Sequence, residues 1–233
     1  YQVGLRAGID AISHYARMFG LGVQTGIGLL NEKDGIVPSS SWKKLTLGEE
    51  WYEGETLSVA IGQGYTSITP IQLLILVSAI ANGGKVYIPF AVSEVISREG
   101  ILIKKFFPTV ARELNIDPST LEIIKSAMYG VVNEPNGTGY LARLPDVEVG
   151  GKTGTAQVVS YDSKRTSARK LNDHAWFVSF APVKDPEIAV VVLVEHGGHG
   201  ATAAAPVAKK VLSAYFEKKK RLQDERSKGT KEL

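Results

Sequence analysis

Apolar positions alternate between helical and strand spacing along this chain, and the order of the two periods outlines the fold. From residue 2 to 19, Leu5, Ile9, Ile12 and Met18 recur near helical spacing, with Gly20 placed to end the helix. Thr69, Pro70 and Gln72 fit N-cap, N1 and N3 of a capping box ahead of the apolar run 73–80, which Asn82-Gly83-Gly84 closes. Asp117-Pro118 starts another helix, with Leu121, Ile124, Ala127, Met128 and Val131 on one face. Residues 86–97 and 101–107, parted by Arg98-Glu99-Gly100, predict a strand pair.

In the second half a strand through Lys152 is predicted to run to about Val159. Residues 174–180 and 188–194 follow as strands joined through Pro182, Lys184, Asp185 and Pro186, so the three build an antiparallel sheet. A helix over 203–216 has small residues that suit lying flat on that sheet. The polar stretch 31–51, broken by Gly35 and Pro38, reads as a long surface loop, and 133–139 as a loop rich in turn residues. The expected class is α/β (α+β), an antiparallel sheet with packed helices.

Composition narrows this picture. At 233 residues, 44% hydrophobic and 22% charged, the chain suits one folded domain with a substantial core. The longest apolar runs, 73–81 and 188–194, fall short of the ~20 residues that cross a bilayer. The net charge is +3, and the stretch 217–233 holds enough basic residues to account for all of it. The body over 1–216 is therefore neutral, which argues against a nucleic-acid surface, and the tail reads as charged and frayed. The absence of cysteine excludes disulfides and thiolate metal sites.

Chemistry concentrates in Val149-Gly150-Gly151-Lys152-Thr153-Gly154-Thr155-Ala156. A cation, two hydroxyls and flexible peptides there suit an anionic group held beside a strand edge. Two signatures compete for these residues. A phosphate loop needs its first glycine at position 146, which is Asp146, and a helix after Lys152, where Thr-Gly-Thr-Ala-Gln-Val-Val stands instead. The Lys-Thr-Gly element of penicillin-recognising serine enzymes expects a strand, and works with Ser-x-x-Lys and Ser-x-Asn or Ser-x-Asp. His196-Gly-Gly-His199 supplies two imidazoles, too few for a zinc site, and reads as a glycine-rich turn at the rim of a cleft.

Further stretches carry the second reading: Thr25-Gly26-Ile27, Glu50-Trp51-Tyr52-Glu53-Gly54-Glu55-Thr56, Ala60-Ile61-Gly62-Gln63-Gly64-Tyr65, Thr69-Pro70-Ile71-Gln72, Pro135-Asn136-Gly137-Thr138 and Glu195-His196-Gly197-Gly198-His199-Gly200. In their order they resemble the transpeptidase domain of class B penicillin-binding proteins, most closely its rod-elongation branch, over residues 1–216. The resemblance implies a penicillin-recognising serine transpeptidase (β-lactamase-like) fold, incomplete at the N-terminal side. It also implies a peptidoglycan D,D-transpeptidase, with a penicillin-sensing receptor domain as the alternative without turnover. Lys152 is expected to place positive charge by the substrate carboxylate, the Thr153 and Thr155 hydroxyls to hold that carboxylate, and the Thr155 N–H to be an oxyanion donor, with Gly154 between them in the substrate-binding strand.

Several matches to Ser-x-x-Lys occur: Ser40–Lys43 and Ser41–Lys44, which follow Pro38 in a polar stretch, and Ser167–Lys170 in a charged loop. Ser160-Tyr161-Asp162 imitates Ser-x-Asp but falls after Lys-Thr-Gly. None has the expected setting, a buried helix start with a desolvated lysine one turn on. The chain also opens in mid-element at Tyr1, where the family's Ser-x-Asn or Ser-x-Asp element would stand immediately before. The nucleophile is thus expected upstream of this sequence. No cofactor and no metal is expected. The implied partners are the peptidoglycan stem peptide, β-lactams and membrane proteins of the elongation machinery, with no nucleic acid. A membrane anchor is expected upstream, placing the domain on the periplasmic face of the bacterial inner membrane.

Overall fold

The computed structural model describes residues 1–157 and 172–229. The expected end of the Lys152 strand at Val159, Ser160-Tyr161-Asp162 and Ser167–Lys170 lie outside the described residues. In chain order come α1 (Gln2–Met18), α2 (Ser40–Leu47), α3 (Glu53–Val59), α4 (Pro70–Ala81), β1 (Lys85–Ile88), β2 (Glu94–Ile96), β3 (Leu102–Lys105), β4 (Thr109–Glu113) and α5 (Pro118–Asn133). Then follow β5 (Gly150–Ala156), β6 (His174–Ala181), β7 (Ile188–Val194) and α6 (Ala205–Gly229). The sequence reads one domain; the chain packs as two compact units, Tyr1–Leu121 and Glu122–Leu233.

In the first unit α1 ends at Gly20 as expected, with φ +90° there and the Leu21 N–H returning to Ala16 O at 3.0 Å. It is interrupted at Gly8, where φ 75° and ψ 160° are not helical. The capping box of α4 is present: Thr69 Oγ1 accepts from Gln72 N at 3.3 Å, and Gln72 Oε1 accepts from Thr69 N at 3.1 Å. Gln72 is fully buried, and its Nε2 also donates to Val23 O at 2.6 Å and Asp34 O at 2.7 Å, so one side chain ties the cap to two loops.

The expected surface loop over 31–51 instead contains α2. Ser39 caps it through Trp42 N at 3.0 Å, and Gly48 closes it at φ 72°. What holds this short helix is not a local apolar stripe but Lys43, 1% exposed, bonded to Glu55 at 2.8 and 3.0 Å and to Glu49 at 3.2 Å. Its ammonium also lies 4.4 Å from the centre of the Tyr52 ring. Ser40 thus does start a helix with a buried lysine one turn on, contrary to the expected polar loop. That lysine is nonetheless committed to two carboxylates, and Ser40 Oγ donates to Asp10.

The expected strand pair is also revised. The turn at 98–100 joins β2 to β3, but residues 85–88 leave to pair with β4, a strand the sequence reading lacked. Pro89, which has no N–H to donate, breaks the long run between β1 and β2.

In α5 the buried line is Leu121, Lys125, Met128 and Val132, whereas Ala127, expected on the apolar face, is exposed. Lys125 holds a place on that line by burying its stem while its Nζ reaches Glu122 at 2.8 Å.

The second unit is built on the antiparallel sheet β5-β6-β7, with β5 at one edge. Ala175, Phe177, Ser179 and Ala181 of β6 alternate inward and are fully buried. Ala175, Phe177 and Ala181 pack with Val132, Val149, Ala204, Ala205, Ala208 and Leu212 in one core. Small residues at the start of α6 let that helix lie close on the sheet, as expected. A π-helical turn, Gly200–Ala204, precedes α6, and the helix continues through Gly229 where a frayed tail is expected from 217 on. Lys, Arg, Glu, Gln and Leu all favour helix, and Lys219 pairs with Glu187. No helix among the described residues is long and apolar enough to cross a membrane.

Candidate active site

Lys152, Thr153, Gly154 and Thr155 all lie on edge strand β5, opposite Val178, Phe177, Trp176 and Ala175 of β6. Successive side chains of a strand point to opposite faces, so Thr153 and Thr155 share one face and Lys152 starts from the other. The lysine is exposed, and its long side chain curls back so that Nζ donates to Thr153 O at 2.7 Å. The ammonium therefore stands beside the peptide between the two threonines. A cation and two hydroxyls on one edge strand can hold a carboxylate.

Three supports keep this strand in place. Asn133, in the last turn of α5, donates from Nδ2 to Val149 O and to Tyr129 O, each at 2.8 Å, fastening the helix end to the residue before β5. Gly200 packs on the backbone of the β5–β6 ladder. A Cβ there would fall 2.2 Å from Trp176 O and 2.6 Å from Gly154 O, so only glycine permits this approach. From the loop after α5, Thr138 Oγ1 lies 3.1 Å from Thr153 Oγ1.

Sequence reasoning missed Asn133 and Gly200 as supports and gave Thr138 no role. The available signal was Pro135-Asn136-Gly137-Thr138-Gly139 itself, a hydroxyl set between glycines in a turn. The histidine turn does come to this end of the sheet: His196 N donates to His174 Nδ1 at 2.9 Å, and Gly198 N donates to Asp173 O at 2.9 Å. His174 in turn pairs with Ala156 at the end of β5. His14 lies in the first unit, beside Tyr15. Among the described residues no three His, Cys, Asp or Glu side chains group as metal ligands.

Residues 1–213 match the family model described as the penicillin binding protein transpeptidase domain. Peptidoglycan D,D-transpeptidase MrdA of Salmonella typhimurium strain SL1344 is 37% identical over 225 residues, 93% of this chain and 36% of the relative. The chain thus spans about a third of that relative's length. Among solved structures, Pseudomonas aeruginosa PBP2 in complex with WCK 5153 superposes with a TM-score of 0.77 at 35% identity, covering 92% of this chain and 44% of that one. The Helicobacter pylori complex between PBP2 and MreC gives a TM-score of 0.76 at 32% identity, covering 93% and 37%. By family model, relatives and fold, this chain belongs to the penicillin-binding protein transpeptidase domain family.

Proposed function

We propose that this chain is the Lys-Thr-Gly wall of a peptidoglycan D,D-transpeptidase, with the nucleophilic serine supplied from outside this sequence. The observation that carries the reading is the family match together with Lys152, Thr153 and Thr155 gathered on an edge strand. Neither described match to Ser-x-x-Lys supplies the nucleophile's partner: Lys43 is bound to Glu49 and Glu55, and Lys44 is an exposed lysine paired with Glu50.

In this reading the substrate is a stem peptide ending in D-Ala-D-Ala. The serine oxygen adds to the carbonyl carbon of the penultimate residue, and the developing oxyanion takes a hydrogen bond from the Thr155 N–H. The bond to the terminal D-alanine breaks, and that residue leaves as the free amino acid with the proton the serine gave up. The resulting ester passes its acyl group to an amine of a neighbouring strand. Until the terminal D-alanine leaves, Lys152 offsets the charge of its carboxylate while the Thr153 and Thr155 hydroxyls hold it. A β-lactam bearing a carboxylate occupies the same place and acylates the same serine.

The finer assignment follows the relatives. Similarity to MrdA and to PBP2 supports a role in wall elongation, on the periplasmic face of the inner membrane and anchored by a segment outside this sequence. The PBP2–MreC complex supports a membrane-linked elongation partner. The test is labelling of the intact protein with fluorescent penicillin, followed by a D-Ala-D-Ala donor and an acceptor amine. Labelling with transfer onto the amine is expected. Labelling without transfer or turnover assigns a penicillin sensor instead, and absence of any acylation refutes the proposal.

A further inference from the structure

We infer that Thr138 is a positioning residue that sets the direction of the Thr153 hydroxyl, an inference that rests on the transpeptidase reading above. The two hydroxyl oxygens are 3.1 Å apart, and either could be the donor. Carboxylate binding decides between them. A threonine hydroxyl has one hydrogen, and Thr153 can offer it to a carboxylate only if it is not spent on Thr138. With a carboxylate bound, Thr138 therefore donates into a lone pair of Thr153, and the Thr153 hydrogen turns to the ligand.

The placement of Thr138 is set by backbone, not by its own side chain. Gly137 N donates to Glu134 O at 2.9 Å, Gly139 N to Val131 O at 2.9 Å, and Tyr140 N to Gly137 O at 3.1 Å, clamping the loop onto the end of α5. A Cβ on Gly137 would lie 2.2 Å from Val131 O, so a larger residue would push Thr138 away from β5. A Cβ on Gly139 would come 3.0 Å from the ring of Phe177, the cross-strand neighbour of Thr153. Helix end, loop and strand thus hold the two hydroxyls together before any ligand arrives.

The test is made in the intact enzyme, with a penicillin and its carboxyl methyl ester as paired probes and the second-order acylation rate as the readout. Thr138→Val keeps the shape and removes the donor, and should slow acylation by the acid about tenfold, the cost of a lost hydrogen bond, while leaving the ester unchanged. Thr138→Ser restores the donor and should restore the acid's rate. Adding Thr138→Val to Thr153→Val should cost nothing further, because the two act through one hydroxyl. The inference is overturned if Thr138→Val leaves the acid's rate alone, if acid and ester slow in parallel, or if serine fails to rescue. A wild-type enzyme that no penicillin acylates overturns the transpeptidase reading, and this inference with it.

Discussion

Lys152 and Thr155 answer to different tests, because Lys152 offers a side chain alone and Thr155 a peptide N–H as well as a hydroxyl. Lys152 is exposed and bonds to the neighbouring carbonyl of Thr153, so little packing depends on it. Lys152→Ala should leave the fold intact and slow acylation by carboxylate-bearing β-lactams ~10- to 100-fold, as expected for a hydrogen bond to a charged group. Circular dichroism and stopped-flow acylation check the two halves of that statement; a variant that fails to fold would make Lys152 a structural residue. Thr155→Pro removes the proposed oxyanion donor together with the Thr155 hydroxyl while leaving the lysine in place, and should cost at least ~10²–10³ in acylation rate. If a folded Thr155→Pro enzyme reacts within about threefold of wild type, far less than one lost donor costs, the oxyanion assignment is wrong.

At the scale of elements, α2 shows how a buried ion pair can replace an apolar stripe. Burial acts most strongly on both Lys43 and Glu55 and opposes their charges, yet it is outweighed by their mutual hydrogen bond and attraction together with the Tyr52 N–H and Tyr65 hydroxyl on Glu55 and the Glu49 carboxylate on Lys43. The carboxyl is held below, and the ammonium above, its ordinary value. A carboxyl lowered in the folded state contributes stability that is whole above the ordinary glutamate value and is lost as pH falls through the lowered one. A raised lysine contributes below the ordinary lysine value, and its share is lost as pH rises through the raised one. The melting-temperature gap between wild type and Glu55→Gln should therefore be widest near neutrality and narrow toward both extremes. A gap that stays constant from acid to alkaline pH would show that charge plays no part. The same contrast explains what the sequence made legible. The caps of α4 and the apolar runs of β6 and β7 are local signals, and they were readable. The pairing of Lys43 with Glu55, the departure of residues 85–88 to β4, and the meeting of Thr138 with Thr153 join positions far apart in the chain, which periodicity does not report. The continuation of α6 was local but masked, since its helix-favouring residues are also the ones that make a charge run.

For the molecule as a whole, burial is distributed unevenly. In the second unit β6 is buried at Ala175, Phe177, Ser179, Phe180 and Ala181, and its core continues through Ala205, Ala208 and Leu212 of α6. In the first unit β2, β3 and β4 are exposed at every residue, and in β1 only Val86 is buried. Amide exchange follows the free energy of opening, which falls where few apolar contacts must be broken. A two-stranded ladder without a buried face is marginal by itself, so β2–β3 should exchange by local opening at little cost. The β6 amides, bonded on both sides within the sheet, should exchange only through the largest openings of their unit. Hydrogen–deuterium exchange followed by mass spectrometry should accordingly find residues 94–105 labelled orders of magnitude faster than residues 175–181, with α4, anchored by Gln72, between them. The functional consequence is that β5 rests on the slow-exchanging sheet, so Lys152, Thr153 and Thr155 are presented by a rigid support. Equal protection of the two segments, or a β5 that exchanges as fast as β2–β3, would remove that support and require the strand to be ordered by its ligand instead.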